Sequence, residues 1–486
     1  MKVLKFGGSS LADGERIRSV AEVVVEAARA DRVAVVLSAM KGVTDQLIAA
    51  AHAAEAGTDG FKPILETIRG KHFDAVRFLF RPADQAAVLT PLALMCNELE
   101  EILHGVELIR ECSPRTLDLV MSFGERLSCQ LSAAYMRASG MDAVLVDARE
   151  MIVTDDHFGS ALVDFDRTYQ RIEERLSAVK GTAVIPGFIG ATDKGVTTTI
   201  GRNGSDYTAS IIGAGTRAGV IEIWTDVDGV LSADPRLVPE AFVIPRLSYE
   251  EAMELSYFGA KVIHPYTMVP AVERNIPLLI KNSLNPSAPG TLIAAGNDGT
   301  AGPGTAGDAR GSIGRPRGGR AVTGIASIPG ISLVNIEGGG MMGIPGFAAR
   351  IFTVLAREGV NIIMISQASS EHTICLVFRT DEGERALSAL NHELTLELET
   401  HRIERFQLIR DLLVVSVIGE NMAGTPGIAG RLFGALGQAG VNILVIAQGS
   451  SERNISFVVE EKDHALALRT IHAAFLSPRA AAAGGA

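Results

Sequence analysis

One phrase of this chain is written twice. "GIPGFAARIFTVLAREGVNIIMISQASSEHTICLVF" starts at Gly343 and "GTPGIAGRLFGALGQAGVNILVIAQGSSERNISFVV" at Gly424. The offset is 424 − 343 = 81 with no gap, and about half the positions are identical. Each copy reads as loop, helix, "GVNI" turn, strand, "SSE" turn, strand. Two copies are too few for a solenoid, which needs at least about three stacked repeats to bury a core. The repeat therefore constrains this part of the chain to a pair of small α+β domains. Within each copy stands a shorter phrase with glutamine at its centre, "ISQASSE" from Ile365 and "IAQGSSE" from Ile446.

Upstream, residues 1–293 alternate between two textures. Short β-branched runs ("KVLKF", "VAVVLSA", "AVLVD", "TAVIPGF", "IEIWTDV", "PLLIKN") are separated by longer helical patterns. In "DGERIRSVAEVVVEAARA", Ile17, Val20, Ala21 and Val24 share one helix face. Strands alternating with helices predict an α/β sandwich with a mostly parallel sheet covered on both faces. Residues 60–112 read as an all-helical excursion. Between Ala294 and Arg320 glycine, alanine and proline dominate with no apolar period, which reads as a flexible linker. The expected organisation is an α/β domain over 1–293, a linker over 294–320 and a paired α+β region over 321–476. That region divides into units of about 327–405 and 411–476, and a frayed tail over 477–486 follows.

Composition narrows the function. The net charge of −11, without a long Lys/Arg block, argues against nucleic acid or an anionic membrane as partner. The four cysteines (Cys96, Cys112, Cys129, Cys375) lack metal-ligand spacing, so a reducing cytoplasm is expected. "MKVLKFGG" is too short an apolar run for a signal peptide, and no stretch is long and apolar enough to span a bilayer.

Two glycine-rich helix entries carry the candidate chemistry. In "KFGGSS", Lys5 lies at the end of the first strand and Gly7 and Gly8 let the backbone approach a ligand. Ser9 and Ser10 can cap the helix that follows, giving an anion site. Strand–Gly–Gly–helix turns are common, so this motif alone is unspecific. "GRNGSDYTASIIGAG" could be an Asn-Gly hairpin. The helical composition after Ser205 favours a helix entry instead, with Ser205 as N-cap and Asp206 in the first turn. "SFGERLS" places Glu125 and Arg126 at the opening of a helix, where such a pair is ordinarily a solvated face. "WTDVDGVLSADPR" ends a strand at Thr225 and Asp226 and turns towards Arg236. Its D-V-D-G lacks the further acids of a calcium loop. Lys261 and His264 in "FGAKVIHP" sit near a helix end, where cations are favourable anyway. "GGGMMG", "GPGTAG" and "GAGTRA" fit a loose dinucleotide pattern. None stands in a strand–turn–helix unit followed by a suitably placed acid, so a dinucleotide fold is excluded.

Taken in order, "KFGGSS", "LSAMKGVTD", "SFGERLS", "GRNGSDYTAS", "WTDVDGVLSADPR" and "MELSYFGAKVIHP" resemble the signatures of the aspartate kinases. They are most similar to the kinase half of bifunctional aspartate kinase–homoserine dehydrogenases, and the chain stops after the repeats. The resemblance implies an amino-acid-kinase fold for 1–293 and a nested pair of ACT domains for the repeats. A short strand near 321–326 is then expected to join the second unit. It implies phosphoryl transfer from ATP, with Mg²⁺ as its companion, to the side-chain carboxylate of L-aspartate. Carried over by position, Lys5 contacts the phosphoryl group and Asp206 organises the lysines. Glu125 holds the substrate ammonium and Arg202 its α-carboxylate, with Thr44 and Ser205 nearby. Gly7, Gly8, Ser9, Thr225, Asp226, Arg236, Lys261 and Val262 line the ATP site with Lys5. Leu231 departs from a nucleotide-side tyrosine of some members.

The chemistry agrees with this resemblance. A side-chain carboxylate with an ordinary pKa of about 3.9 is ionised at neutral pH and needs no general base. Positive charge, donors and alignment are what a loose phosphoryl group requires. No protein metal cage is expected, because Mg²⁺ commonly arrives with the phosphates. Two other readings remain open at this point: a sister kinase with a different carboxylate or carbamate substrate, and a catalytically silent amino-acid sensor. In the repeats, glutamine offers one acceptor and two donors to a hydroxylated amino acid. On strand composition alone, the two glutamines pair across strands. The resemblance to threonine-sensitive relatives implies L-threonine as effector, bound by Asn361, Gln367, Asn442 and Gln448. Exposed strand edges in the repeats imply at least a homodimer.

Overall fold

The runs "KVLKF" and "VAVVL" are buried on both faces, as strands at the centre of a covered parallel sheet must be. They are β1 (Lys2–Phe6) and β2 (Val33–Leu37), joined by α1 (Gly14–Ala30). In the computed structural model, which describes residues 1–57, 59–259, 263–296, 320–339, 346–368 and 372–477, the chain forms two discontinuous compact units. The first comprises Met1–Val230, Pro245–Tyr249 and Lys261–Asn297; the second comprises Leu231–Ile244, Glu250–Ala260 and Asp298–Ala486. Composition suggested a contiguous span over 1–293. Two segments leave it: Leu231–Ile244 because Ala233 and Val238 are buried with Leu432, Leu468 and Phe475, and Glu250–Ala260, whose Glu251 accepts from the Thr323 hydroxyl and the Glu420 amide.

In the first unit, α2 (Val43–Glu55), α3 (Phe61–Leu79), α4 (Pro82–Ile109) and α5 (Pro114–Ala138) follow β2; α3 and α4 fill the expected excursion over 60–112, and the run of helices extends beyond it on both sides. Then come β3 (Ala143–Leu145), α6 (Phe165–Ser177), β4 (Thr182–Pro186), the hairpin β5 (Ile189–Ala191) and β6 (Thr197–Thr199), α7 (Gly204–Thr216) and β7 (Val220–Thr225). After β8 (Arg246–Ser248) the chain enters α8 (Tyr249–Tyr257), which from Glu250 on is assigned to the second unit; α9 (Pro265–Glu273), β9 (Leu278–Asn282) and β10 (Thr291–Ala294) complete the first. The eight-stranded sheet runs β3-β4-β2-β1-β7-β9-β10-β8 and is parallel except between β9 and β10. Alternation along β1 divides the faces: Leu4 and Phe6 enter the core with Ile17, Val20 and Leu127, whereas Lys5 reaches α7.

The second unit holds β11 (Gly324–Glu337), α10 (Phe347–Arg357), β12 (Met364–Gln367), β13 (Thr373–Arg379), α11 (Gly383–Glu393), α12 (Thr395–Glu399), β14 (Arg405–Ile418), α13 (Ile428–Gln438), β15 (Val445–Ala447), β16 (Asn454–Glu460) and α14 (His464–Phe475). Its antiparallel sheet runs β12-β13-β11-β14-β16-β15. The strand β11 is shared. Ile331–Glu337 pairs with β13 of the first repeat, while Gly324–Ile328 pairs with Val414–Ile418 beside β16 of the second. This is the nesting anticipated for the segment near 321–326. Two cores result, one around Ile351, Leu355 and Phe378 and one around Leu432, Phe457 and Leu468. Most of the expected linker (297–319) and the tail from 478 lie outside the described residues; Ala294 closes β10. No helix among the described residues is long and apolar enough to cross a membrane.

Candidate active site

At the end of β1, the Lys5 Nζ lies 2.6 Å from Asp206 Oδ1, with both side chains about nine-tenths buried. The first glycine-rich turn leaves room for this pair. A Cβ on Gly7 would stand 3.4 Å from the Lys5 Nζ, and one on Gly8 would press to 3.0 Å on the Ala39 carbonyl. The serines do not cap the helix as expected. They sit in a 3₁₀ turn, Gly8–Leu11, where the Ser10 hydroxyl pairs with that of Ser283 at 2.7 Å. The cap of α1 is Asp13, whose Oδ1 accepts from the Arg16 amide at 2.9 Å.

The second glycine-rich stretch is a helix entry and not a hairpin. Its N-cap is Asn203, at φ 54°, so Ser205 and Asp206 both stand in the first turn of α7. Asparagine and glycine tolerate this left-handed backbone better than serine, which explains why the cap lies two residues earlier than expected. The "PGF" turn before β5 presses on this entry. A Cβ on Gly204 would fall 2.5 Å from the Phe188 ring, and one on Gly187 2.7 Å from Ser205. Arg202, just before the cap, is exposed and makes no hydrogen bond or ion pair among the described residues.

Glu125 lies in the middle of α5, not at its opening. The helix starts at Pro114 behind Ser113, whose hydroxyl accepts from the Thr116 amide. Gly124 is helical because the backbone must approach the 38–42 turn: a Cβ there would meet Ala39 Cβ at 2.9 Å and Leu47 at 3.3 Å. That approach lets the Ala39 amide donate to Glu125 Oε1 at 3.2 Å. Glu125 is 4% exposed, and its Oε2 is buried without a partner. Burial pushes this carboxyl up to about 8, opposed only by backbone donors. The solvated-face reading therefore fails for Glu125. It also fails for Arg126, which stacks on Phe123 at 4.4 Å and lies 3.6 Å from Glu98. Thr44 is half-buried in the first turn of α2, behind the left-handed Gly42 at φ 80°.

Sequence reasoning missed Asp118. It lies seven residues before Glu125, on the same face of α5. Fully buried, it accepts from the amides of Gly159 (3.0 Å) and Thr199 (2.9 Å) and from the Thr199 hydroxyl (2.7 Å). The signal available was its spacing from Glu125 within one helix.

On the other side of β1, β7 ends at Thr225, whose hydroxyl pairs with Asp226 at 3.2 Å. The acids of "DVDG" engage neighbouring side chains. Asp228 accepts from Asn282 and Asn285 at 2.8 and 3.1 Å. Among the described residues no group of three or more His, Cys, Asp or Glu could hold a metal ion. Arg236 belongs to the second unit, is 87% exposed and forks onto Asp234 two residues away. Leu231 bridges to Val243 in that same unit. Lys261 and Val262 lie outside the described residues. A separate groove of about 900 Å³ runs beside α1, lined by Lys2, Glu22, Trp224 and Lys281, and takes in neither Lys5 nor Glu125.

In the second unit, the paired phrases meet. The Ser366 hydroxyl donates to the Ile446 carbonyl at 3.2 Å, and a pocket of about 340 Å³ opens beside Gln367, Thr373, Cys375 and Leu444. Gln367 ends β12 and Gln448 follows β15. Both are exposed, and neither side chain makes a hydrogen bond among the described residues, so they do not pair across strands. The repeat extends to the helix caps, Gly346 at φ 85° and Gly427 at φ 86°. Asn361 and Asn442 are exposed in the "GVNI" turns.

A Lys–Asp pair between two glycine-rich helix entries, beside a buried carboxyl, suits an anionic phosphoryl group next to a cationic substrate group. Comparison with known proteins decides the family: the amino acid kinase family model matches residues 1–282. The chain belongs to the amino acid kinase family. ACT domain models match 334–394 and 415–475. This amino acid kinase is 38% identical, over 99% of its length and 52% of the other, to the chloroplastic bifunctional aspartokinase/homoserine dehydrogenase 1 of Arabidopsis thaliana. It thus spans about half the length of that relative. It is 35% identical to chloroplastic aspartokinase 1 of the same plant, covering 97% of this chain and 80% of that one. The structure of E. coli aspartokinase III in complex with aspartate and ADP superposes with a TM-score of 0.77 at 28% identity, covering 97% and 99% of the two chains.

Proposed function

We propose that this chain is an aspartate kinase, transferring the γ-phosphoryl of ATP to the side-chain carboxylate of L-aspartate to give 4-phospho-L-aspartate. The observation that carries the reading is the buried Glu125 Oε2, which has no protein partner. A substrate ammonium supplies the charge and donors this oxygen lacks, and the free Arg202 fork suits the α-carboxylate of the same molecule. The aspartate and ADP bound by the E. coli relative support the same assignment.

A carboxylate oxygen of aspartate attacks the γ-phosphorus, the bond to the bridging oxygen of ADP breaks, and ADP leaves with the electron pair. The nucleophile is already ionised, so no base takes part. The Lys5 ammonium, held by Asp206, faces the charge that spreads over the phosphoryl oxygens. The amides at the α7 entry and the turn at Gly7 and Gly8, with Ser9, add donors. Thr44 and Ser205 border the aspartate, while Thr225, Asp226, Arg236, Lys261 and Val262 are assigned to the nucleotide. Mg²⁺ would come with the nucleotide and supply positive charge against its phosphates, while Lys5 supplies the protein's own charge there.

The pocket beside Gln367 supports L-threonine as feedback effector, with Asn361, Asn442 and Gln448 as further contacts. Coupling of this kind is typically about 1–3 kcal/mol. A homodimer or larger assembly through the ACT pair, and a cytoplasmic setting in keeping with four free cysteines, complete the reading. The test is ATP-dependent hydroxamate formation with aspartate, omitting each component in turn, under parallel titrations of threonine and lysine. Hydroxamate that forms without aspartate, or not at all, overturns the kinase reading; inhibition by lysine alone overturns the effector reading.

A further inference from the structure

Asp118 is a fully buried carboxyl whose partners are three neutral donors, and no cation contacts it among the described residues. Burial raises its pKa against those donors. Burying such a carboxyl is costly, and three neutral donors offset that cost only in part. Its partners are informative. Thr199 is the last residue of β6, and only Ile200 and Gly201 separate it from Arg202. Gly159 belongs to the neighbouring 155–163 loop, which is fastened to the same strand: the Ala161 amide donates to the Thr199 carbonyl at 2.9 Å. The hydroxyls of Thr154 and Thr198 pair at 2.7 Å. Gly201, in the left-handed backbone at φ 82°, then passes Ser160 at ordinary contact distance, a Cβ there lying 3.6 Å away.

We propose that Asp118 is the positioning residue of the aspartate subsite, fastening β6 and the 155–163 loop to α5 so that Arg202 is held at a fixed distance from Glu125. The inference rests on the aspartate kinase reading for its substrate. One helix then carries both settings: Glu125 takes the ammonium directly, and Asp118, two turns earlier, places the strand that delivers the guanidinium. A purely structural carboxyl would affect both substrates alike. A positioning one affects aspartate.

The test compares Asp118→Ala and Asp118→Asn in the full chain. Asparagine preserves the pattern: its oxygen accepts from both amides, and its NH₂ donates to the Thr199 hydroxyl, which can also accept. Small misplacements of a substrate-orienting group cost up to about a hundredfold, so Asp118→Ala is expected to raise KM for aspartate at least ~10-fold while KM for ATP changes less than ~2-fold. Asp118→Asn stays within ~3-fold of wild type. In an Arg202→Ala background, Asp118→Ala adds less than ~2-fold, because residues acting as one unit are not additive. Should Asp118→Ala fail to fold, Thr199→Val, which deletes only one of the three donors, carries the same test at ~3-fold. Equal losses for ATP and aspartate, multiplying effects with Arg202→Ala, or an Asp118→Asn as poor as alanine each overturn the proposal. Amide hydrogen exchange over 197–203 in the ligand-free chain separates it from the substrate reading. Exchange that is unchanged in Asp118→Ala sinks the positioning role even if aspartate is phosphorylated. Exchange that quickens in a chain unable to use aspartate keeps the role and sinks the substrate.

Discussion

If Glu125 receives an ammonium, aspartate affinity must depend on pH, and the direction is fixed by the structure. Its carboxyl, pushed up to about 8 by burial, is mostly protonated in the ligand-free enzyme at pH 7. Only the ionised form attracts the substrate, so the apparent dissociation constant is the intrinsic one divided by the ionised fraction. That fraction is ~1% at pH 6 and roughly a quarter at pH 7.5, which makes aspartate bind about 20-fold tighter at the higher pH. At pH 7 binding should also expel about 0.9 proton per site, since nearly every free site holds one and the complex holds none. Calorimetric titration in buffers of different ionisation enthalpy counts that proton, and KM for ATP at the same pH values controls for the nucleotide. Glu125→Gln should weaken aspartate and remove both the slope and the proton. A flat affinity between pH 6 and 7.5, proton uptake, or a slope that survives in Glu125→Gln would refute the argument. The same group also sets a stability trend. The folded value lies above the ordinary 4.5, so its contribution is complete below 4.5 and is lost as pH rises through about 8. At 1.36 kcal/mol for each tenfold the ceiling is about 5 kcal/mol. The Tm of the wild type should therefore fall relative to that of Glu125→Gln between pH 5 and pH 8.

Lys5→Ala should lower kcat on the order of a hundredfold or more, with a much smaller change in aspartate affinity, as removal of an electrostatic stabiliser does; a folded variant with near-normal kcat would remove Lys5 from the phosphoryl group. Arg202→Lys should raise KM for aspartate and spare ATP, because an ammonium cannot reproduce a two-bond fork. A defect confined to ATP would place Arg202 in the wrong subsite. His72 is fully buried with its Nδ1 2.8 Å from the Ile68 carbonyl, and burial lowers it to about 4. The unfolded chain therefore takes up a proton below 6.5 that the folded chain refuses until about 4, so this stabilisation is present above 6.5 and lost as pH falls. Urea midpoints of wild type and His72→Leu at pH 7 and pH 4.5 should converge on acidification, and parallel shifts would refute the assignment.

Much of this was legible in the sequence because it depends on periodicity and local spacing. Alternating textures predict the parallel sheet, and the 81-residue offset predicts matched α+β units, whose helices start behind glycine caps at 346 and 427. Lys5 and Asp206, 201 residues apart in sequence, stand in the two glycine-rich motifs that the sequence singles out and meet at 2.6 Å. What could not be read depends on close approach between distant segments. "SFGE" has the composition of a helix start, yet its glycine is mid-helix to admit Ala39. Ser205 has the chemistry of a cap, but Asn203 accepts the left-handed backbone the entry requires. Asp118 carries no motif; its role exists only through amides 41 and 81 residues away. Arg236 is assigned to the nucleotide through the resemblance, which does not reveal that its neighbour Asp234 engages it in the structure.

The long strand β11 has a consequence for how such a chain can be altered. Because Gly324–Ile328 completes the sheet of the later repeat before the earlier repeat has begun, neither copy is a detachable cassette. A fragment beginning after residue 330 would leave Val414–Ile418 with an open edge of five unpaired positions, a template for aggregation. Excision of either copy by recombination would strand half a sheet. Divergence between the two copies is thus confined to residue-by-residue substitution, which is how one copy could specialise while the pair stayed whole.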